Sequence, residues 1–406
     1  MQFSPGALRF STVPTEPEIA DPNERFRSRR ADARKRRRHH RSFALAALAI
    51  AAALVALGAT VIGTRQHSSG KTGAHAKSAK KQAAQPARAR ALPAEMRGVH
   101  VTMALASIPG KLDEYLRMPG LNTVEIDVKD ENGKVGFLMP SWTLARKVGA
   151  SQPYYNARRA AAKVHAKGVY LIGRVVVFED PTLTAKRPDL AIRRRDGSVW
   201  QNNAGLGWAN LYDKRVWDYN LSVAKAAVRA GFDEIQFDYV RFPSDGPIEE
   251  AVFARQANEP QGWTVARFVH YASAELKPMG VRVSADVFGL SATHDLGIGQ
   301  VPGRLAKYLD AVYPMVYPSH YRAGEFNLPD PSAAPGQTVA FSLRDFRNAL
   351  VGRKTMLIPW LEDFSLTSER RPASEVWAQI RAARKYRTRG FLLWNPTGVY
   401  TEEVLK

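Results

Sequence analysis

Glu234-Ile235-Gln236-Phe237-Asp238-Tyr239-Val240 reads as a β-strand in which Ile235, Phe237 and Tyr239 alternate with Gln236 and Asp238. A period of two turns the apolar set toward packing helices and the polar set to the opposite face. Asp238 comes last before Arg241-Phe242-Pro243, where a strand would give way to a loop. Outward from this run, similar short stretches rich in Val, Ile, Phe and Tyr stand at 98–102, 123–129, 169–177, 282–288, 311–317, 355–360 and 390–394. Amphipathic segments of helical length lie between them, at 111–117, 154–167, 214–230, 264–276, 303–308, 343–350 and 374–386. Glycines stand at 168, 231 and 280, where helices would end in a left-handed residue. Eight strands joined by helices predict an α/β fold, a (β/α)8 TIM barrel over residues 95–406. A doubly wound sheet shows the same alternation, but no glycine-rich phosphate loop follows the first strand.

The 8 Trp, 14 Tyr and 17 Phe are enough to furnish the core of so large a domain. A net charge of +21 raises the question of nucleic acid, and its distribution answers it. Residues 1–90 hold 18 Lys and Arg against 5 Asp and Glu, which leaves 41 against 33 for all the rest. The folded region shows no clustered basic face of the kind phosphates require, so no nucleic-acid partner is expected. Absence of cysteine excludes disulfides, thiolate metal sites and a cysteine nucleophile.

Residues 34–41 are Arg-Lys-Arg-Arg-Arg-His-His-Arg, and residues 43–63 then carry no charge. Such a run crosses a hydrocarbon layer about 30 Å thick, and the basic block before it is expected on the cytoplasmic side. The chain is therefore divided into a basic cytoplasmic tail (1–42), a transmembrane signal-anchor (43–63), a flexible basic linker (64–94) and an extracytoplasmic barrel (95–406). Cleavage of the apolar run as a signal peptide is the alternative, and it also exports the barrel. The linker, rich in Ala, Lys, Gln and Ser, has almost nothing to bury.

In a parallel barrel, chemistry belongs at the C-terminal ends of the strands. In the second strand Glu125, Asp127 and Lys129 alternate with Val124, Ile126 and Val128, which directs all three charges into the barrel. Glu125, the deepest, reads as part of a structural ion pair. Asp238, the last inward-facing residue of the fourth strand, and Asp286, at the mouth of the fifth, stand about 4.8 Å apart if the strands are neighbours. That is close enough for one carboxyl to serve as a protonated acid and the other as an ionised nucleophile or base. Glu362 and Asp363 follow the seventh strand, and Glu179 and Asp180 follow the third, beyond Arg174. Tyr317, Tyr321, Trp360 and Trp394 gather at the same end, where sugar rings stack on aromatic faces. His100 and His320 would serve in sugar hydrogen bonding; no metal-ligand spacing such as HExxH is present, and neither metal nor cofactor is expected.

The runs Arg97-Gly-Val-His100, Glu234-Ile-Gln-Phe-Asp-Tyr-Val-Arg-Phe-Pro243, Ser284-Ala-Asp-Val-Phe-Gly289, Met315-Val-Tyr-Pro-Ser-His-Tyr321 and Ile358-Pro-Trp-Leu-Glu-Asp-Phe364 carry a resemblance. In this order they resemble the bacterial putative glycosyl hydrolase domain family, over most of residues 95–400. The resemblance implies a fold akin to the α-amylase-like glycosidase barrels and a sugar polymer as substrate. It implies Asp238 at the nucleophile position and Asp286 at the fifth-strand position, where such enzymes usually keep a glutamate as acid. The shorter aspartate leaves Asp363 or Glu362 as an alternative acid. Asp238, Asp286 and Asp363 are thus the catalytic candidates. The substrate-binding candidates are His100, Asp127, Lys129, Arg174, Arg241, Tyr317, His320, Tyr321, Trp360, Glu362 and Trp394. The expected activity is hydrolysis of a cell-envelope or extracellular polysaccharide. The alternative is a barrel that binds carbohydrate at the cell wall without turning it over.

Overall fold

A computed structural model describes residues 90–255, 258–366 and 370–406. The basic tail, the apolar run 43–63 and residues 64–89 of the linker lie outside them, and among the described residues no helix is long and apolar enough to cross a membrane.

Nine parallel strands form one sheet: β1 (Met96–Val101), β2 (Thr123–Lys129), β3 (Tyr170–Val176), β4 (Glu234–Asp238), β5 (Arg282–Phe288), β6 (Ala311–Val316), β7 (Met356–Leu357), β8 (Trp360–Glu362) and β9 (Gly390–Trp394). Neighbours run in the order β5-β4-β3-β2-β1-β9-β8-β6, and the pairing of β5 with β6 closes the circle. β7 and β8 both pair with β6 and together make a single stave, so the closed barrel has the expected eight. The continuous strand expected at 355–360 is broken because Pro359 has no N–H to give the ladder. Its second piece then continues to Glu362.

Helices cover the outside. The helix Lys214–Ala230 starts on Asp213, whose carboxylate accepts from the Arg215 N–H, and stops at Gly231, which takes a left-handed φ of +108°. The helix expected at 343–350 begins earlier, at Pro335, whose missing N–H costs nothing in a first turn. Phe237 on β4 meets Phe268 of the helix Gln261–Leu276, ring centres 5.3 Å apart. A second, smaller cluster of Met96, Tyr170, Ile172, Tyr313, Ile358 and Leu392 is buried apart from this outer core, and every one of these residues but Ile358 lies on a barrel strand. Among its neighbours Glu234 is held by the Ser284 hydroxyl at 2.5 Å and the Tyr170 hydroxyl at 3.0 Å.

Gly390 opens β9 with φ +115°, and a Cβ there would stand 2.1 Å from the Met96 carbonyl oxygen. Gly390→Ala is expected to lower stability by more than the ~1–2 kcal/mol of the backbone conformation alone, because β1 must also move away. A shift of the urea midpoint with unchanged slope checks it.

Candidate active site

The polar face of β2 enters the barrel only as far as Asp127. Between Asp127 and Lys129 the register with β3 slips, so the period of two fails at that point. Lys129 therefore does not join the charges inside, contrary to the sequence expectation. Its Nζ is buried against the outer helix, 2.7 Å from Asp180 and 2.9 Å from the Asn220 side chain.

Arg174, on β3, is the cation around which the strand ends gather. Its Nη1 donates to Asp127 Oδ1 at 2.8 Å, while Nε and Nη2 donate to Asp238 Oδ2 at 2.9 and 2.7 Å. Glu131, beyond the end of β2, lies 3.6 Å from the same guanidinium. Burial drives Asp127 up to about 6 in spite of this cation, so desolvation outweighs the attraction. Arg174 itself is held well above its ordinary range, its burial more than offset by Asp238, Asp127 and Glu131.

Asp238 is fixed by a local device as well. β4 ends there because Tyr239 turns into the left-handed region at φ +50°, and the Tyr239 N–H donates to Asp238 Oδ1 at 2.7 Å. The expectation that the strand continues and Tyr239 faces the helices is therefore corrected. Its ring turns instead toward Trp208, at 6.1 Å, and the Arg241 guanidinium, at 5.1 Å.

Phe237 registers with Ala285, so Asp238 and Asp286 follow as the next residues on adjacent strands. Asp286 is 2 % exposed, and both its side-chain donors, Gln236 Nε2 and Trp360 Nε1, converge on Oδ1, the indole at 2.7 Å. Burial, and then the charge of Asp238, push its pKa well above the usual carboxylate range. Gln300 anchors the backbone on either side, donating to Asp286 O at 3.1 Å and accepting from Phe288 N at 2.9 Å. One carboxylate sits in a cationic fork, and the other in a setting that favours its proton.

His100 lies beside them at the end of β1. Its Nδ1 is 2.5 Å from Glu125 and its Nε2 3.6 Å from Asp127, with the ring centre 4.5 Å from that of Trp394 and 6.4 Å from that of Trp360. The Trp394 ring also has the Arg174 guanidinium 5.8 Å from its centre. Tyr317 joins the same region, its hydroxyl held protonated first by burial and then by Asp286 and Asp238. His320 lies next to Tyr317, rings 5.4 Å apart.

Four candidates stand apart. Glu362 is fully buried; Arg371 Nη2 donates to its Oε1 at 2.6 Å and the Ser319 N–H to its Oε2 at 2.9 Å. Asp363 is buried too, its two oxygens accepting from the Thr401 N–H and hydroxyl at 2.7 Å each, and burial lifts its pKa to about 6. Tyr321 leans outward, its hydroxyl donating to Ser342 Oγ at 3.2 Å. Arg241 is buried among Trp208, Tyr239 and Phe288, its Nη1 donating to Phe242 O and Ser244 Oγ at 3.0 Å each. Conversely, Glu131 and Gln300 reach the site from loops, where no strand period marks them. Gln236 could be found by its alternation with Asp238. Among the described residues no group of three or more His, Asp or Glu could hold a metal ion.

A protein-family profile described as “Putative glycosyl hydrolase domain” matches residues 98–400. Among curated proteins none matches the chain. Among solved structures, a hypothetical protein from Ruminiclostridium thermocellum is 34% identical, over 47% of this chain and 97% of its own, with a TM-score of 0.43. The PgaB (BpsB) glycoside hydrolase domain from Bordetella bronchiseptica is similar in fold, with a TM-score of 0.53 at 12% identity, over 75% of this chain and 95% of its own. An alpha-galactosidase from Thermus thermophilus scores 0.47 at 13% identity, over 78% of this chain and 61% of its own.

Proposed function

The chain belongs to the family described as “Putative glycosyl hydrolase domain”, and on that premise we propose that it hydrolyses glycosidic bonds with Asp238 and Asp286 as its working pair. The observation that carries the proposal is the opposite setting of these two neighbours. Asp238 sits in the Arg174 fork, and Asp286 is buried with its side-chain donors on a single oxygen. Glycosidic cleavage asks for this division: a carboxylic acid to protonate the departing oxygen and a carboxylate to meet the anomeric carbon.

In the proposed reaction Asp286 passes the proton on Oδ2 to the glycosidic oxygen as the bond to the anomeric carbon breaks. Asp238 attacks that carbon from the other face. Strand spacing of about 4.8 Å suits direct attack, which retaining enzymes make with carboxyls ~5–5.5 Å apart. Water then releases the sugar, with Asp286 taking the proton back. Trp394, Trp360 and Tyr317 provide the aromatic surface for the pyranose rings. Glu362, paired with Arg371, and Asp363, held by Thr401, lie outside the group gathered around Arg174 and are given no part in the step.

The substrate is proposed to be a cell-envelope or extracellular polysaccharide, met outside the membrane by a barrel tethered through residues 43–63. This part rests on the basic block and apolar run of the sequence alone. Proteolysis of the barrel in intact cells tests it; full protection would overturn the export.

The pH profile tests the acid assignment. The active form needs Asp286 protonated, and its raised pKa keeps that form present above the usual carboxylate range. Activity is therefore expected to fall as pH rises through that value. In Asp286→Asn the residual activity, lower by about 10²–10⁴, should lose this alkaline limb. An unchanged limb would assign the acid elsewhere.

A further inference from the structure

Glu125 is fully buried, and Ile126 and Asp127 follow it on β2 before the barrel opens. No sugar reaches it, yet it makes the closest side-chain contact of His100, 2.5 Å to Nδ1. Its other oxygen, Oε1, is buried without a hydrogen-bond partner. We propose that Glu125 is a positioning residue that makes His100 a hydrogen-bond donor to a sugar hydroxyl at the cleavage subsite. This deepens the glycosidase reading and rests on it for the identity of the acceptor; the state of the histidine itself does not depend on it.

The argument begins with the clamp on the ring. Trp394 lies against one face, tilted by 38° with centres 4.5 Å apart, and Trp360 presents its edge at 75° and 6.4 Å. The Tyr400 hydroxyl fixes the backbone by donating to His100 O at 2.6 Å. With the ring held, its two nitrogens look in different directions, Nδ1 to Glu125 and Nε2 toward Asp127, 3.6 Å away.

Proton counting then decides what Nε2 offers. A neutral imidazole has one N–H and one lone pair. If the lone pair were on Nε2, it would face the Asp127 carboxylate, which the Arg174 fork also holds. With the proton between Nδ1 and Glu125 there are two placements, imidazolium with carboxylate or imidazole with carboxylic acid. In both, Nε2 keeps its own proton. Wherever Asp127 is ionised, His100 thus keeps N–H and no lone pair on Nε2, a buried nitrogen on the Asp127 side of the ring, so it serves a sugar hydroxyl as donor and cannot act as a base. The charged and titratable groups facing this pair are Asp127 on β2, Arg174 on β3, Asp238 on β4, Asp286 on β5 and Tyr317 just beyond β6. Of these Asp286 weighs most on Glu125 after burial. The aromatic neighbours from β8 and β9 carry no charge. Glu125 is thereby distinguished from a filler of the barrel, since a filler would leave the histidine's tautomer unchanged when replaced.

The test is two-bond ¹H–¹⁵N correlation on the full 406-residue chain labelled at histidine, with His100 among its 9 histidines identified by the signal lost in His100→Gln. The proposal expects an Nε2 shift of protonated type from pH 7 to 8 in the wild type, where Asp127 is ionised. It expects Glu125→Gln to bring an unprotonated or titrating Nε2 into that range, and Glu125→Asp to restore part of the wild-type pattern. Unprotonated Nε2 in the wild type, or an unchanged spectrum in Glu125→Gln, overturns it; if that variant does not fold, the wild-type spectrum and Glu125→Asp decide. In turnover, His100→Gln, which keeps an N–H donor, should lose roughly 10-fold less than His100→Ala, mostly in kcat/KM. Failure of any glycan to be cleaved would sink the glycosidase reading while leaving the spectra to judge this one.

Discussion

Asp238→Asn is expected to abolish turnover, by roughly 10³-fold or more, while the barrel stays folded. The size follows from what the residue does in the proposed step. An amide neither attacks the anomeric carbon nor neutralises the positive charge that develops there, so two contributions vanish together. The fold should tolerate the change because the amide oxygen can still accept from Arg174 in place of Oδ2, and only the Tyr239 N–H bond to Oδ1 is given up. Loss of its charge relieves Asp286, whose pKa the neighbour helps to raise. The alkaline limb of any residual activity should accordingly move to lower pH. Circular dichroism and the urea midpoint show folding, and release of reducing ends shows turnover. A folded Asp238→Asn with undiminished release would remove Asp238 from the mechanism.

Arg174→Met should cost both activity and stability. The guanidinium lies between Asp127 and Asp238, with Glu131 close by, and is only 6 % exposed in its side chain. Taking one partner from a buried ion pair leaves uncompensated charge, at about 3–5 kcal/mol. The sign of the pH dependence follows. Without the cation the folded-state pKa of Asp127, which Arg174 now holds down, rises further, so the folded protein prefers it protonated. The added cost is thus present at neutral pH and shrinks as pH falls toward the unfolded carboxylate range near ~3.9. Turnover should fall because Asp238 loses the guanidinium that holds its Oδ2 in place. Arg174→Lys should recover stability better than activity, since one ammonium cannot fork to two carboxylates. A stability loss independent of pH would contradict this account of the cluster.

Much of the barrel is legible in the alternation of apolar and polar residues, because inside and outside must alternate along every stave. The reading fails where one backbone event overrides the period. Pro359 breaks the seventh stave, the slip between Asp127 and Lys129 turns Lys129 outward, and the left-handed Tyr239 ends β4 two residues early. Pairing is the less legible part. Glu362 looks like a mouth residue until Arg371 is seen to take it, and Asp363 until Thr401 is, 38 residues along the chain. The neighbours Asp238 and Asp286 stand out in sequence because both are inward-facing carboxylates near the C-terminal ends of their strands, whereas Glu131 and Gln300 come from loops with no period to reveal them. Tertiary proximity selects partners, and local pattern does not encode it.

The most direct test is the release of reducing ends by the wild-type chain across a panel of cell-envelope and extracellular polysaccharides, beside the Asp238→Asn/Asp286→Asn double variant. The account predicts product from at least one polymer with the wild type and none with the folded double variant. Saturable binding without product, equally strong in both proteins, would contradict it and make the barrel a carbohydrate-binding module.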